Sequence, residues 1–540
     1  MTQRITNVFP VRIIKTEGEV SGAENLICEK PIAITFHDQS VCTLTKDGNS
    51  NPYVLLDFGK EYQGGVRIAI TRASQKTHTL RIVLGESVTE ALSSVGEKGA
   101  TNDHSPRDFT ATVSNMGICD LGRSGFRFAR IELASEGYVS LKTVTASHRT
   151  ENCDQTGFIK TSDGELNRIL DTAIYTAFVC AQDGFIYDGI KRDRLVWSGD
   201  LNTEILTLSY TYGCIENIKN SLIMLRNETP SDRWMNNIPT YSLWWVLNLC
   251  DYVMLSGDVA FYDECRPYVS GILANLDRCT DEGGHADFSR GGMNAGMEFF
   301  LDWQSFKTEN AKPGALSLIV YCLKKLLALG RCEQEEAELV RSIIYKLSPN
   351  LKVPVTMKQT RAMQIMAGAG TDGAREFLEN GGAEGFSTFM MYFIMKAGTA
   401  VGADILPLAK RYYSAMLDRG ATTFWEDFDI NWLEGSGRID EINDGSLSDI
   451  HADYGAFCYK NLRHSLCHGW SSGIVAWAFE ELLGLKVLEP GFRKISISPD
   501  LSATEYIEAA IPTPRGVITV SAKRGEEPIV SLPDSIILDS

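Results

Sequence analysis

The chain has 540 residues, 44% hydrophobic and 22% charged, a balance that excludes extended disorder and implies two to four domains. A formal net charge of -17 and a pI near 5.1 exclude the basic footprint that nucleic acid or an anionic membrane requires, and favour a neutral small-molecule ligand. No apolar h-region follows Met1 and no apolar run of membrane-spanning length occurs, so neither a signal peptide nor a span is expected and the chain is assigned to the cytoplasm.

From the start to about Ser147, short β-rich runs alternate with turn signals: Pro31 to Phe36, Tyr53 to Phe58, Val66 to Ile70, Leu80 to Leu84 and Phe126 to Leu133. That spacing predicts an N-terminal β-sandwich over 1–150. The polar, glycine-rich stretch from Gly85 to Pro106 has no clear period and reads as a long loop. After Thr161 the helical period takes over, with segments at Gly164 to Ala181, Asp200 to Tyr212, Tyr241 to Leu255, Ala315 to Ala328 and Gln334 to Leu347. Ten to twelve helices over 151–485 without a fixed repeat suit antiparallel helix pairs closing into a toroid. Beyond Pro490 strands return at Lys494 to Ser498, Tyr506 to Ile511, Val517 to Ser521 and Ile536 to Leu538, predicting a small C-terminal β-domain over 486–540.

Three segments carry residue types suited to chemistry. Between Asp188 and Asp200, six charged side chains and Trp197 crowd thirteen residues. If this segment turned into the helix that follows, Asp193, Trp197 and Asp200 would share one face, joining two acids to an aromatic plate. A solvated helix start with surface Arg and Asp pairs explains the same residues equally simply. In Ala421 to Asp429, Glu426 sits beside Trp425 and Asp427, and burial with like-charge pressure would raise its pKa toward that of a general base. An aromatic core with exposed acids is the alternative. In Ser465 to Gly473, His468 and Trp470 stand at the mouth of a helix expected near Ser471, where His468 could donate to a hydroxyl or serve only as a structural residue.

Asp302-Trp303 and Trp244-Trp245 are further candidates, and each is also a natural core element. The thirteen cysteines are odd in number and lack a C-x-x-C pair, so they read as reduced thiols, with no metal or other cofactor implied. Paired carboxylates with several tryptophans in a helical toroid point to glycoside hydrolysis, one acid protonating the leaving oxygen and the other activating water.

At these residues the chain resembles the α-L-rhamnosidases of glycoside hydrolase family 78. Their Asp-x-x-x-Arg-Glu-Arg-x-x-Trp-x-Gly-Asp segment is matched by Asp188, Arg192, Asp193, Arg194, Trp197, Gly199 and Asp200, with Asp193 standing where the family has its acid Glu. Thr422-Thr-Phe-Trp-Glu426 resembles the segment bearing the family's general base, and His468 resembles its sugar-contacting histidine. Similarity extends to Leu55 to Gly59, Ser124 to Phe128 and Glu489 to Phe492, a coverage of roughly 50–525.

The resemblance implies a central (α/α)6 barrel flanked by the two β-domains. It implies inverting exo-hydrolysis of terminal α-L-rhamnosides, with Asp193 as acid and Glu426 as base. Substrate binding would fall to Asp188, Arg192, Trp197, Asp200, Trp245, Trp303 and His468. The expected partner is a small rhamnoside, and a homodimer is the assembly considered. Two alternatives stay open: a glycosidase for another deoxy or L-sugar, and a non-catalytic carbohydrate-binding protein.

Overall fold

The computed structural model describes residues 3–48, 51–192, 194–291, 297–457 and 459–539. Contacts divide the chain into two compact units, each assembled from separated stretches. The first comprises Met1–Asn152, Gly189–Leu195 and Ala415–His468; the second comprises Cys153–Asp188, Val196–Ser414 and Gly469–Ser540.

The first unit is built on nine strands: β1 (Gln3–Val8), β2 (Arg12–Glu17), β3 (Glu19–Ser21), β4 (Cys42–Lys46), β5 (Tyr53–Ala73), β6 (Thr77–Gly85), β7 (Asp108–Ser114), β8 (Gly117–Leu133) and β9 (Gly137–Glu151). They pair in the order β3-β4-β9-β5-β8-β6-β7, with β1 added to β9 and β2 to β5. Period-two alternation explains the core: Val54, Leu56 and Phe58, then Val66, Ile68 and Ile70, point to one buried side with Leu80, Ile82, Ile131 and Leu141. Register shifts lie between Asp57 and Tyr62 and between Gly64 and Val66, where β5 changes its alignment with β8. At Gly64, with φ 149°, a Cβ would stand 2.1 Å from the Ser147 carbonyl oxygen, so only glycine fits.

Two expectations for this part of the chain are corrected. Pro31 to Phe36 alternates in sequence but forms no strand, and Phe36 is 83% exposed. Alternation makes a strand only where a neighbouring edge supplies partners. The stretch from Gly85 to Pro106 is not all loop: it contains α1 (Val88–Leu92), capped by Ser87, whose hydroxyl accepts from Glu90 N. Val88 and Ala91 of α1 cover Tyr53, Leu55 and Phe128 on the other face of the sheet.

The Ala415–His468 stretch is tied to this sheet by a buried ion pair. Arg127 donates to both oxygens of Asp57 at 2.8 and 2.9 Å and to the Gly420 carbonyl at 2.8 Å, while Arg12 reaches Asp57 at 2.9 Å. Asp57→Ala would remove the bidentate partner of Arg127 and leave its guanidinium only the longer carboxylate contact, to Asp440 Oδ2 at 3.3 Å, so a loss of about 2–3 kcal/mol in denaturant unfolding is expected. A loss within experimental error would show that the pair does not hold this stretch.

The second unit contains the helices α2 (Gly164–Cys180), α3 (Leu201–Thr211), α4 (Glu216–Glu228), α5 (Pro239–Ser256), α6 (Val259–Cys279), α7 (Ala311–Ala328), α8 (Gln334–Leu347), α9 (Lys358–Met366), α10 (Ala374–Glu379), α11 (Met390–Ala400) and α13 (Ile474–Trp477), with the N-terminal part of α12 (Leu406–Asp418). Asp163 caps α2 by accepting from Glu165 N and Leu166 N, and α5 starts on Pro239 and ends at Gly257 with φ 75°. Helix α3 packs on α5, α5 on α7, α7 on α9, α9 on α11, α11 on α13 and α13 on α3. Members of this ring are buried around most of their circumference, every residue of α3 being buried, whereas α4, α6 and α8 bury one stripe.

Phe158–Thr161 pairs with Tyr506–Thr513, followed by Gly516–Lys523 and Ile529–Ser531; Lys486–Glu489, Lys494–Ser496 and Ile537–Leu538 form a second small sheet. Among the described residues no helix is long and apolar enough to cross a membrane, and no disulfide joins two cysteines.

Candidate active site

Three chain segments meet around Glu426 in the first unit. The segment bearing it pairs with the one bearing His468: Glu426 N donates to Ser465 O at 3.0 Å, His468 N to Phe424 O at 3.0 Å, and the Thr423 hydroxyl to Leu466 O at 2.8 Å. An antiparallel bridge between Gly189 and His468 adds the third segment. The result sets Arg192, Glu426 and His468 side by side, all at most 3% exposed.

Arg192 donates a charge-assisted hydrogen bond to Glu426 Oε2. His468 Nε2 lies 3.4 Å from Oε1, and Ser465 N lies 3.4 Å from Oε2. Arg192 is itself held by its Nε donating to the Arg463 carbonyl at 3.0 Å and by stacking on Tyr459, 4.1 Å from the ring centre. Burial pushes the Glu426 carboxyl up, but the positive charge of Arg192 and the contact with His468 outweigh it and hold the group well below the usual carboxylate range. The sequence expectation of a raised pKa is thereby overturned, because the guanidinium that decides the sign is 234 residues away in the chain.

The helical continuation through Asp193, Trp197 and Asp200 is also corrected. The helix α3 starts at Leu201, and Arg194, with φ 48°, donates its N–H back to Arg192 O at 2.8 Å in a tight turn. Asp193 lies outside the described residues.

In the second unit, Trp197, Tyr241, Phe300 and Trp303 form a continuous aromatic row with successive ring centres 6.1, 6.0 and 5.0 Å apart. Trp197 and Trp303 are half-buried, so each keeps accessible ring surface. Tyr241 donates to Asp200 Oδ2 at 3.4 Å, which places Asp200 beside the row. Gly199 lets the chain pass close to these rings, since a Cβ there would lie 3.0 Å from Tyr241 Cζ.

Asp302 is fully buried; it accepts from Ser305 N at 2.9 Å and from Gln359 Nε2 at 3.2 Å, and burial raises its pKa, so it fixes the turn that carries Trp303. Asp188 is 2% exposed, and its carbonyl accepts from Gly469 N at 2.8 Å. Trp245 is enclosed: it is 0% exposed, its indole N–H donates to the Leu222 carbonyl at 3.0 Å, and its ring meets Tyr268. It packs helices together and offers no face to a ligand, which corrects its placement among the binding residues.

Sequence reasoning missed Tyr241, Phe300, His464 and Lys191. Tyr241 carries no signal beyond its position in the first turn of α5, whereas His464 and Lys191 flank residues already singled out. His464 Nε2 accepts from Asp427 N at 2.9 Å, and burial holds its pKa well below the ordinary histidine value. Glu86, Glu90 and His451 bring ligand atoms within 4.8 Å of one another, a spacing that could hold a cation. Lys191 supplies one, with Nζ 2.9 Å from Glu86 and 3.2 Å from Glu90.

Residues 154–254 match the family model described as the bacterial alpha-L-rhamnosidase six-hairpin glycosidase domain. A curated alpha-L-rhamnosidase of Alteromonas sp. (strain LOR) is 36% identical over 141 residues, covering 23% of this chain and 13% of that protein. Among solved structures, a family 78 rhamnosidase of Bacillus sp. GL1 superposes with TM-score 0.75 at 20% identity, covering 96% of this chain and 55% of its own. The Klebsiella oxytoca rhamnosidase with rhamnose bound gives TM-score 0.67 at 20% identity, covering 88% of this chain and 96% of its own. The Streptomyces avermitilis alpha-L-rhamnosidase complexed with L-rhamnose gives 0.69 at 16% identity, covering 99% of this chain and 50% of its own. The matched region is thus a small part of the curated relative, and the chain spans about half of two of these structures.

Proposed function

We propose, from the premise that the chain is a relative of the α-L-rhamnosidases of glycoside hydrolase family 78, that it hydrolyses terminal α-L-rhamnosyl residues of small glycosides with inversion at the anomeric carbon. The observation that carries this reading is the Glu426 carboxylate, kept ionised by Arg192 and facing His468 in a segment matching that of the family's base. In it, Glu426 takes a proton from water as the water oxygen bonds to the anomeric carbon. Asp193 gives a proton to the departing glycosidic oxygen, and the old C–O bond breaks on the opposite face.

Asp188, Arg192, Asp200 and His468 bind sugar hydroxyls, and Trp197 and Trp303 take the apolar face and methyl group. A hydroxyl accepting from Arg192 draws that charge away from Glu426 and strengthens it as a base, which links ligand entry to water activation. The ring of α3, α5, α7, α9, α11 and α13 is read as the inner layer of an (α/α)6 barrel within the division 1–150, 151–485 and 486–540.

The test is to incubate the purified protein with p-nitrophenyl α-L-rhamnopyranoside and follow the anomeric proton by NMR. β-Rhamnose as first product is expected. α-Rhamnose would refute water activation by Glu426. Turnover of another nitrophenyl glycoside alone would change the sugar, and calorimetric binding without product would make the chain a binding protein.

A further inference from the structure

Lys191 and Arg192 are consecutive, and their side chains grip three consecutive carbonyls of one segment. Lys191 Nζ donates to Leu462 O at 3.2 Å and His464 O at 2.7 Å; Arg192 Nε donates to Arg463 O between them at 3.0 Å. The same segment continues into Ser465, whose backbone pairs with Glu426. The ammonium is also held by Glu86 at 2.9 Å and Glu90 at 3.2 Å. Glu86 is anchored in turn: Leu466 N donates to it at 2.7 Å and the Ser465 hydroxyl at 3.4 Å, while Glu90 Oε2 accepts from Glu86 N at 2.8 Å.

We propose that Lys191, seated on Glu86 and Glu90, is a positioning residue that holds Arg192 on Glu426. The inference rests on the reading of Glu426 as the water-activating base.

Lys191, Arg192, Glu86, Glu90 and Glu426 are all buried at 5% exposure or less, as is Arg107, 3.7 Å from Glu90, and such burial is costly unless each charge is paired. A structural staple alone needs one ion pair. This cluster instead places its cation on the carbonyls that flank the Arg192 anchor, so movement of Lys191 shifts the 462–464 backbone that both side chains share. His451 reinforces the arrangement, with its ring nitrogens on Ser87 Oγ at 2.8 Å and His464 O at 2.9 Å. Among the described residues, Arg192 and His468 are the groups whose charge holds Glu426 down, and His464 is electrostatically linked to it; Lys191 acts through the backbone.

The experiment compares wild type, Glu86→Gln, Lys191→Arg and the charge-balanced pair Lys191→Met with Glu86→Gln. It reads kcat, KM and the acid limb of kcat/KM, together with a crystal structure of the balanced pair. In the balanced pair kcat should fall by about 10²-fold, the cost of roughly 1 Å of misplacement, with KM changed far less. Its acid limb should move to higher pH as Arg192 leaves Glu426, with Glu86→Gln moving it the same way by less and Lys191→Arg restoring kcat. Arg192 unmoved on Glu426 in the crystal structure, or an unshifted acid limb with kcat falling only as folded protein is lost, would overturn the proposal. If the balanced pair does not fold, an unshifted acid limb in Glu86→Gln overturns it and a shifted one supports it. Full turnover by Glu426→Gln would instead remove the base reading, and the crystal structure would still decide whether Lys191 positions Arg192.

Discussion

Glu426→Gln is expected to lower kcat by about 10²- to 10⁴-fold, the usual contribution of a positioned general base, with little change in KM. Glutamine keeps the shape that Arg192 and His468 pack against but cannot take a proton from water. The variant also reports on stability, because Arg192 and His468 hold the wild-type carboxyl below its ordinary value of 4.5 despite the opposing effect of burial. A depressed carboxyl contributes stability above the unfolded value and loses it as pH falls. The wild-type advantage over Glu426→Gln should therefore be complete at neutral pH and shrink below pH 4.5. Thermal unfolding at pH 7 and pH 3 measures this. Turnover within tenfold of wild type would exclude Glu426 as the base, and a stability difference that grows on acidification would contradict the ion pair.

Gly469→Ala is expected to destabilise the second unit strongly. A Cβ at Gly469 would stand 1.5 Å from Glu204 Oε1, 2.4 Å from its Cδ and 2.8 Å from its Cγ. Carboxylate tips often swing aside, but Glu204 is 0% exposed on α3, inside an interior that proteins pack closely. Burial, with Cys180, Asp200 and Asp188 adding like-charge pressure, raises its pKa well above the ordinary value. The added methyl must displace that side chain or the Gly469 backbone, whose N–H is donated to Asp188 O. A loss of about 3 kcal/mol or more is expected by denaturant unfolding. Adding Glu204→Ala should recover most of the loss, since it removes the clashing atoms; strictly additive effects of the two substitutions would show that the conflict lies elsewhere.

Much of the second unit and of the sheet was legible from local pattern. The strands through Tyr53 to Phe58, Leu80 to Leu84 and Phe126 to Leu133, and helices such as α2, α5 and α8, lie where periodicity predicts, because apolar alternation and helical stripes are properties of neighbouring residues. The same rule misread Pro31 to Phe36, which has the alternation but no edge to join, and it passed over α1, whose five residues are too few to show a period. At the site, residue type alone marked Glu426 and His468 as groups able to exchange a proton, Arg192 as a fixed positive charge and the tryptophans at 197 and 303 as plates for a sugar. What those groups experience was set by folding. Glu426 is driven down, not up, in pKa because Arg192 is brought to it from 234 positions away; Lys191 meets Glu90 across 101 positions; and Trp245, equal to Trp303 as a residue, is sealed between helices. Charge and burial act through distance in space, and separation along the chain carries almost no information about that distance until the chain has folded.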